Sequence, residues 1–315
     1  MEADVRRLGT AGGIAARAGR FSAPWSAPWF DAIRADLDLV LGDAEAGRFD
    51  TCRARLDEAA RTRGIRNDNG QPIRFVDART VGSSSYEGHI WASGQVPTRC
   101  DAAGAWHDLF NALVWLSFPR TKARLNRLQA EVIAHEGIRG TRGGLRDAAT
   151  LFDENAIVLV TDDDRLAGAL RGFDWQELFV AGRARFVDSA RVAVFGHALL
   201  DKLRAPYKAV CGHAWIVRAE AAAVVIPGAG SLRAANPASG HRLLDRLLAD
   251  ALTPASLLPA AFSPVPALGI PGWWPENADP AFYRDAAVFR PGRRRRAASA
   301  AGGDPAAART STGDL

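Results

Sequence analysis

The segment from Ala105 to Leu116 constrains the fold more than any other part of the chain. At helical periodicity its apolar residues nearly encircle the helix, so we expect this helix to be surrounded by other elements. The Phe118-Pro119 pair breaks it. An apolar stripe at positions 125, 128 and 132 then predicts a second helix from about Arg120 to Ala134. The two helices are expected to form a corner or a hairpin.

Shorter periodic segments predict a mixed fold around this pair. Helices are expected from about Pro28 to Val40 and at 50–63, 196–204 and 241–252, and strands at 73–76, 191–195 and 209–217. The run 150–160 predicts a strand, a tight turn and a strand, with Asp153-Glu154-Asn155 in the turn. The fold class that fits is α+β, with helices packed against a few short strands.

The segment from Pro264 to Trp274 contains three prolines and two glycines, which exclude a regular helix. Trp273 and Trp274 have no helix of their own to cover them. We therefore expect a C-terminal Pro/Trp-rich strap that buries at least one of these rings on the body. Such a strap could also cover a pocket.

Length and composition set the domain organisation. The chain has 315 residues, 48% hydrophobic and 24% charged, which is typical of a globular protein. We predict a flexible lead at 1–24, a single globular domain at 25–291 and a disordered basic tail at 292–315. No apolar run approaches the roughly 18 residues that a membrane-spanning helix requires. Acidic residues near the start argue against a secretory signal, and three cysteines without close spacing fit a reducing, cytoplasmic compartment.

The net charge of +5 is concentrated at the C-terminus. Residues after Pro291 include five arginines and two aspartates, so the body is close to neutral. This distribution argues against nucleic-acid binding by the folded body.

Polar residues inside the apolar helix are the first candidates for chemistry. His107 and Asn111 are four residues apart and share one helix face, with Asp108 beside them. Two interpretations stay open. One is a buried structural network, with Asp108 as a charge partner of the helix start. The other is a metal or acid–base site with His107 as a ligand or base.

Two further groups extend the candidate site. Asp153 and Glu154 could serve one metal at a turn, although Asp and Asn are also ordinary turn residues. His197 lies at the first turn of a helix that follows a strand, a frequent site position, but also one where histidines pack or cap.

Basic residues offer anion contacts. Arg146 follows Arg139 and Arg142 across a Gly-Gly pair, and guanidinium groups bind phosphate or carboxylate with two hydrogen bonds. Because arginine is frequent throughout this chain, a solvated or ion-paired cluster is the alternative. Arg99, Asn111 and Lys122 complete the predicted substrate-binding set.

Several segments, in order along the chain, carry a family resemblance. They are Gly94-Gln95-Val96-Pro97-Thr98-Arg99, His107 to Trp115, Phe118-Pro119-Arg120-Thr121-Lys122 with Asn126, Arg146-Asp147, Thr150 to Asn155, Phe195-Gly196-His197-Ala198-Leu199, Pro266 to Trp273, and Phe282-Tyr283. The chain resembles the bacterial domain of unknown function 3025 family over roughly Trp29 to Pro291. The resemblance implies a bacterial cytoplasmic protein with one family-wide domain, and it assigns no activity or cofactor. The family tends to have glycine where this chain has Ala156, so the turn type is expected to differ.

Two functional hypotheses follow. The first is a metal-assisted hydrolase or phosphoesterase that acts on a small anionic molecule with a divalent metal. Its metal ligands would come from His107, Asp153, Glu154 and His197, and Asp108 would join these as an acid–base group. The second is a non-catalytic binding or adaptor protein in which the buried polar residues are structural. No HExxH, paired CxxC, Walker loop, GxGxxG or GxSxG motif is present.

Overall fold

The computed structural model describes residues 25–82, 85–101, 104–136, 144–220, 224 and 237–292. Its α-helices are α1 Arg34–Leu37, α2 Leu41–Glu45, α3 Phe49–Thr62, α4 Tyr86–Ser93, α5 Ala105–Ser117, α6 Pro119–Glu136, α7 Gly144–Asn155, α8 Asp164–Gly172, α9 Arg183–Ser189, α10 His197–Lys202 and α11 Pro237–Ala251. Its strands are β1 Arg74–Asp77, β2 Gln95–Thr98, β3 Ala156–Val160, β4 Arg191–Val194, β5 Cys211–Val217 and β6 Phe262–Pro266.

Helix α5 is the centre of the fold, as its apolar circumference predicts. Every residue from Leu109 to Phe118 is buried, and the helix packs against α3, α6 and α10. Helix α6 begins at Pro119, directly after the break, and its buried Leu125 and Leu128 give the expected stripe. The Asp245 carboxylate of α11 accepts hydrogen bonds from the Arg120 and Thr121 amides, which satisfies donors at the start of α6.

Four strands form the larger sheet, in the order β4-β3-β5-β6. Strand β3 pairs in parallel with β5 and antiparallel with β4, and β6 pairs antiparallel with β5. All five residues of β3 are buried, which fits its continuous apolar run and its central position. Strands β1 and β2 form a separate two-stranded parallel sheet.

The predicted strand–turn–strand at 150–160 is wrong. Residues 144–155 form helix α7, which runs directly into β3, so Asp153-Glu154-Asn155 is the last turn of a helix. The apolar residues Leu145, Ala148 and Phe152 follow the helical spacing i, i+3, i+7 and face the core. This longer pattern outweighs the strand-like Thr150-Leu151-Phe152 run. Ala156 accordingly begins a strand and is not part of a turn.

The first predicted helix is interrupted. Residues Pro28–Ile33 form a 3₁₀ helix with proline at its start, α1 adds a single turn, and α2 begins only after Val40. The predicted inward positions Trp29, Ile33, Leu37 and Val40 are nevertheless all buried. The apolar spacing therefore identified the buried face correctly, although the backbone is not one continuous α-helix.

The C-terminal strap is irregular and closely packed. Trp273 is buried and its ring lies 6.2 Å from that of Trp29, while Trp274 is partly buried. The Asn277 amide donates to the carbonyls of Leu268 and Ile270 at 2.8 and 2.7 Å, which fixes the strap's path. The expectation that at least one of the two adjacent tryptophans is buried is confirmed.

The structure confirms an α+β class with helices around a few short strands. Within the described ranges, no helix is long and apolar enough to cross a membrane. The predicted lead at 1–24 lies outside the described residues, as does the predicted tail from 293 onward.

Candidate active site

A cavity of about 590 Å³ opens between α4, α5, α6, α7 and the start of α10. Its lining combines imidazole, carboxylate, guanidinium and phenol groups: Ala78, Ser85, Tyr86, Glu87, Pro97, Arg99, His107, Asp108, Asn111, Gln129, Ile133, Arg146, Thr150, Asp153, Glu154 and His197. The predicted set His107, Asn111 and Arg146 therefore shares one cavity. None of these lining residues belongs to the strap, so the strap does not line this cavity.

Three candidate metal ligands, two imidazoles and one carboxylate, converge on this cavity. The Nε2 atoms of His107 and His197 are 3.1 Å apart, and Glu154 Oε2 lies 3.7 Å from His197 Nε2. One donor atom from each residue lies within 4.8 Å of the others. Two nitrogens bound to a tetrahedral zinc at about 2.0–2.1 Å are about 3.3 Å apart, close to the observed spacing of the histidines.

Three backbone positions bring these side chains together. His107 is in the first turn of α5, Glu154 is the penultimate residue of α7, and His197 is the first residue of α10. The position of His197 depends on the preceding Gly196. Any other residue there would carry a Cβ that lies only 2.5 Å from the Ala156 nitrogen. The amides of Phe195 and Gly196 both donate to the Ala156 carbonyl. The missing side chain thus lets α10 start directly against the junction of α7 and β3.

Asp153 supports this cluster from behind. Its Oδ1 accepts from Lys122 Nζ at 2.6 Å, and its Oδ2 lies 3.8 Å from His197 Nδ1. His197 therefore has one nitrogen towards His107 and Glu154 and the other towards a carboxylate. Metal-ligating histidines are commonly oriented by a carboxylate on the second nitrogen, although the 3.8 Å separation here is longer than a hydrogen bond. The predicted ligand set of four thus divides into three converging groups and one supporting group.

The pKa shifts of His197, Asp153 and Glu154 are consistent with His197 and Glu154 as ligands and Asp153 as a supporting carboxylate. Burial lowers the pKa of His197 to about 4, with a smaller contribution from the Lys122 ammonium, so the imidazole is neutral at neutral pH. Burial alone would raise the pKa of Asp153, but the charge of Lys122 and the neighbouring His197 bring it below its ordinary value. Burial and the Asp153 charge raise the pKa of Glu154. Neutral histidine is the form that binds metal, and a cation would favour ionised Glu154.

Of the predicted anion-binding residues, Arg99 and Lys122 are engaged by protein carboxylates, whereas, within the described part of the chain, Arg146 is not. Arg99 pairs with Asp108 through two side-chain contacts of 2.7 and 2.9 Å, so both groups are engaged at the cavity edge. Lys122 is buried against Asp153 and Asn111 and does not line the cavity. Among the described residues, Arg146 makes no ion pair or hydrogen bond, which leaves its guanidinium available. Arg139 and Arg142 lie outside the described residues.

Sequence reasoning missed the contribution of α4. Tyr86 accepts a hydrogen bond of 2.8 Å from Asn111 Nδ2, and Glu87 Oε2 accepts one of 2.6 Å from Asn126. Burial raises the pKa of Glu87 above its ordinary range, as does the nearby Asp153 charge. The available signal was Ser85 followed by a short apolar helix, since Ser85 caps α4 through the Gly88 amide. That signal marks a helix start and does not indicate a site.

A second cleft of about 660 Å³ lies between α6, α11 and the loop after α3. It is lined by arginines at positions 63, 66, 120, 124 and 246 and by Asp68 and Asp250. Several of these arginines are already engaged: Arg63 pairs with Asp36, and Arg124 donates to the Leu252 carbonyl. No histidine or cysteine lines this cleft, so the metal-ligand types meet only in the first cavity among the described residues.

Comparison with known proteins places the chain in a family. The family described as "Protein of unknown function (DUF3025)" matches residues 73–293, which is more than half of the chain. The chain belongs to the DUF3025 family. All the lining residues of the first cavity lie within the DUF3025 region, whereas Trp29 and the first three helices precede it. No curated protein and no solved structure matches the chain.

Proposed function

We propose that this DUF3025 protein is a metal-assisted hydrolase that acts on a small anionic molecule. The observation that supports the proposal most directly is the convergence of His107, Glu154 and His197 at one cavity. Two histidines and one glutamate are the ligands of a familiar class of catalytic zinc site, in which water or substrate takes the fourth position. All three residues line the cavity, so an ion held by them would be accessible to a water or substrate there.

The charge of the cavity also favours a cation. Four carboxyl groups line it, from Glu87, Asp108, Asp153 and Glu154. The cations beside them are Arg99, Arg146 and the buried Lys122 that pairs with Asp153, which leaves one acidic group in excess. A divalent ion would offset this excess of acidic groups. With the ion in place, Arg146 would be suited to contact a phosphate or carboxylate of the substrate, since its guanidinium is in no ion pair among the described residues.

A divalent ion held by His107, Glu154 and His197 would lower the pKa of a bound water and so supply a nucleophile at neutral pH. Attack by this water would form a bond from its oxygen to the phosphorus or carbonyl carbon of the substrate while the ester bond breaks. The proton released by the water would balance the one taken up by the leaving oxygen. In this scheme Asp153 orients His197, and Lys122 balances the Asp153 charge.

Metal analysis of the purified protein tests the ligand set. We expect about one equivalent of a divalent metal in the native protein, lost on treatment with a chelator and lost in His107→Ala and in the near-isosteric Glu154→Gln. His135→Ala is the matched control, because His135 is exposed at the end of α6. Native protein without stoichiometric metal, or full metal content in both site variants, would contradict the proposal.

A set of chromogenic esters then tests the reaction class. We expect metal-dependent hydrolysis of a phosphate or carboxylate ester, lost with the chelator and restored by adding the metal back. Iron in place of zinc would argue against a hydrolase, because two histidines and one carboxylate also form the ferrous site of oxygenases.

The second candidate is a non-catalytic binding protein. It is favoured by the extent to which the polar groups satisfy each other: His107 with His197, Lys122 with both Asp153 and Asn111, and Asn126 with Glu87. Such a network can stabilise a fold without a metal. Native protein free of metal but fully folded would favour this alternative.

A further inference from the structure

The hydrogen bonds around Asn111 determine the role of a tyrosine that borders the cavity. Lys122 Nζ lies 2.8 Å from Asn111 Oδ1, and an ammonium group can only donate. The Asn111 oxygen must therefore face Lys122, which turns its NH₂ group towards Tyr86. The Asn111 Nδ2 to Tyr86 hydroxyl distance is 2.8 Å, so the phenol oxygen is the acceptor.

This leaves the phenol proton of Tyr86 unused. A tyrosine hydroxyl has one proton to donate, and Asn111 occupies the oxygen as an acceptor. Among the described residues, no protein acceptor lies within hydrogen-bonding distance of that proton. Tyr86 lines the cavity, so a ligand there can take this hydrogen bond.

The surroundings keep this phenol protonated. Tyr86 is 41% exposed as a residue, but its hydroxyl accepts from the buried Asn111. Desolvation of this hydroxyl raises the pKa of Tyr86 well above its ordinary value, and the charges of Glu87, Asp153 and Asp108 act in the same direction. The group is therefore a neutral donor at physiological pH and cannot act as an anion. A preorganised neutral donor inside a site is suited to an oxygen that carries or develops negative charge.

Tyr86 is also held in place close to the metal-ligand cluster. Ser85 caps α4, and the Asn126 amide of α6 donates to both the carbonyl and the carboxyl of Glu87, which anchors the first turn. On α5, Asn111 is one helical turn after His107, a Cβ separation of about 5–6 Å. Tyr86 and His107 line the same cavity.

We propose that Tyr86 is a catalytic residue that donates a hydrogen bond to an anionic oxygen of a phosphoryl-type substrate in this cavity. The assignment rests on the proposed function for its reaction, but the contact itself does not require a metal. Arg146 would contribute a charged contact to the same tetrahedral group from α7. Tyr86 would bind most strongly when charge accumulates on that oxygen during attack by water.

Fluorine NMR with 3-fluorotyrosine tests the contact directly. The chain has three tyrosines, Tyr86, Tyr207 and Tyr283, so three resonances are expected, each assigned by its Tyr→Phe variant. Inorganic phosphate is titrated into zinc-loaded and into chelator-treated protein. We expect the Tyr86 resonance to shift and saturate, while that of Tyr207, which does not line the cavity, stays constant.

Phosphate affinity by calorimetry gives the second measurement. Tyr86→Phe should weaken phosphate binding about tenfold to a hundredfold, as expected for a hydrogen bond to a charged group, with unchanged zinc content. Its melting temperature should fall modestly, because the variant leaves Asn111 Nδ2 without its acceptor. Tyr207→Phe is the matched control and should bind phosphate like the native protein. For any ester that the protein hydrolyses, Tyr86→Phe should lower kcat more than it raises KM.

The outcomes separate the two proposals. The assignment of Tyr86 is overturned by any of three results. These are a Tyr86 resonance that does not shift with phosphate, a phosphate affinity of Tyr86→Phe equal to that of the native protein, or no phosphate binding by the native protein. Absence of zinc with a phosphate-dependent shift of Tyr86 overturns the metal-assisted reaction and supports Tyr86 as an anion contact.

Discussion

The Nε2 atoms of His107 and His197 lie 3.1 Å apart although 90 positions separate them in the chain. Their rings are nearly perpendicular, with centroids 4.6 Å apart. The contact depends on where α10 begins, and this in turn depends on the close approach at Gly196.

Gly196→Ala should therefore damage both the fold and the site. The new Cβ would meet backbone atoms of Asn155 and Ala156, which cannot move aside as a flexible side chain could. We expect a loss of about 1–3 kcal/mol in the free energy of unfolding, together with weaker metal binding. Gly168→Ala is the matched control: it lies exposed inside α8, with nothing near the added methyl group. The control should be neutral or more stable by up to about 1 kcal/mol. Equal stability of the two variants in urea would refute the close-approach argument.

The Lys122–Asp153 pair gives a second prediction. Both side chains are buried, so Lys122→Met would leave the Asp153 carboxylate without its cation. We expect a loss of about 3–5 kcal/mol in the free energy of unfolding. The exposed Arg127–Glu131 pair on the same helix α6 provides the comparison, and Arg127→Met should cost less than about 1 kcal/mol. Chemical denaturation measures both, and similar losses would show that the buried pair has no special role.

Stability should fall in mild acid because of buried histidines. Burial lowers the pKa of His241 below its ordinary 6.5, and the nearby Asp245 and Asp36 carboxylates only partly oppose this. The unfolded chain then binds a proton more readily than the folded one. The stability due to neutral His241 is present above about pH 6.5 and is lost as the pH falls towards the folded-state pKa.

The test compares His241→Asn with the native protein. Between about pH 7 and about pH 5, the free energy of unfolding should decrease less steeply in the variant. Some decrease should persist, because burial also lowers the pKa of His197 and of His213. His135→Asn, at an exposed position, should follow the native curve. Parallel curves for all three proteins would mean that His241 does not titrate in this range.

The strap gives a fourth prediction. Trp273 is 8% exposed and packs near Trp29, which precedes the family-wide region. Trp273→Ala should reduce the free energy of unfolding by about 3–5 kcal/mol. Val187→Ala, at a 57% exposed position, should change it by less than about 0.5 kcal/mol. Because the strap does not line the cavity, the metal content of folded Trp273→Ala should be unchanged. A change in metal content without loss of stability would contradict this prediction and show that the strap affects the metal-ligand cluster.

Much of the fold could be predicted from local patterns. The burial of α5, the break at Phe118-Pro119 and the boundaries of α3 follow from apolar spacing within single segments. Helix α7 was misassigned because Thr150-Leu151-Phe152 suggests a strand when considered alone. The helical spacing becomes clear only when Leu145 and Ala148 are included.

The sequence by itself determined which side chains are available for chemistry: His107, Asp153, Glu154 and His197 stand out as polar groups in apolar surroundings. Only the tertiary structure decided their roles. It turned Asp153 towards Lys122, engaged Arg99 with Asp108, and added Tyr86 from a helix with no recognisable motif. The reason is physical: helix and strand patterns arise from neighbours a few residues apart, whereas the cavity joins α4, α5, α7 and α10 through long-range packing. No linear spacing encodes which nitrogen faces which oxygen across such contacts.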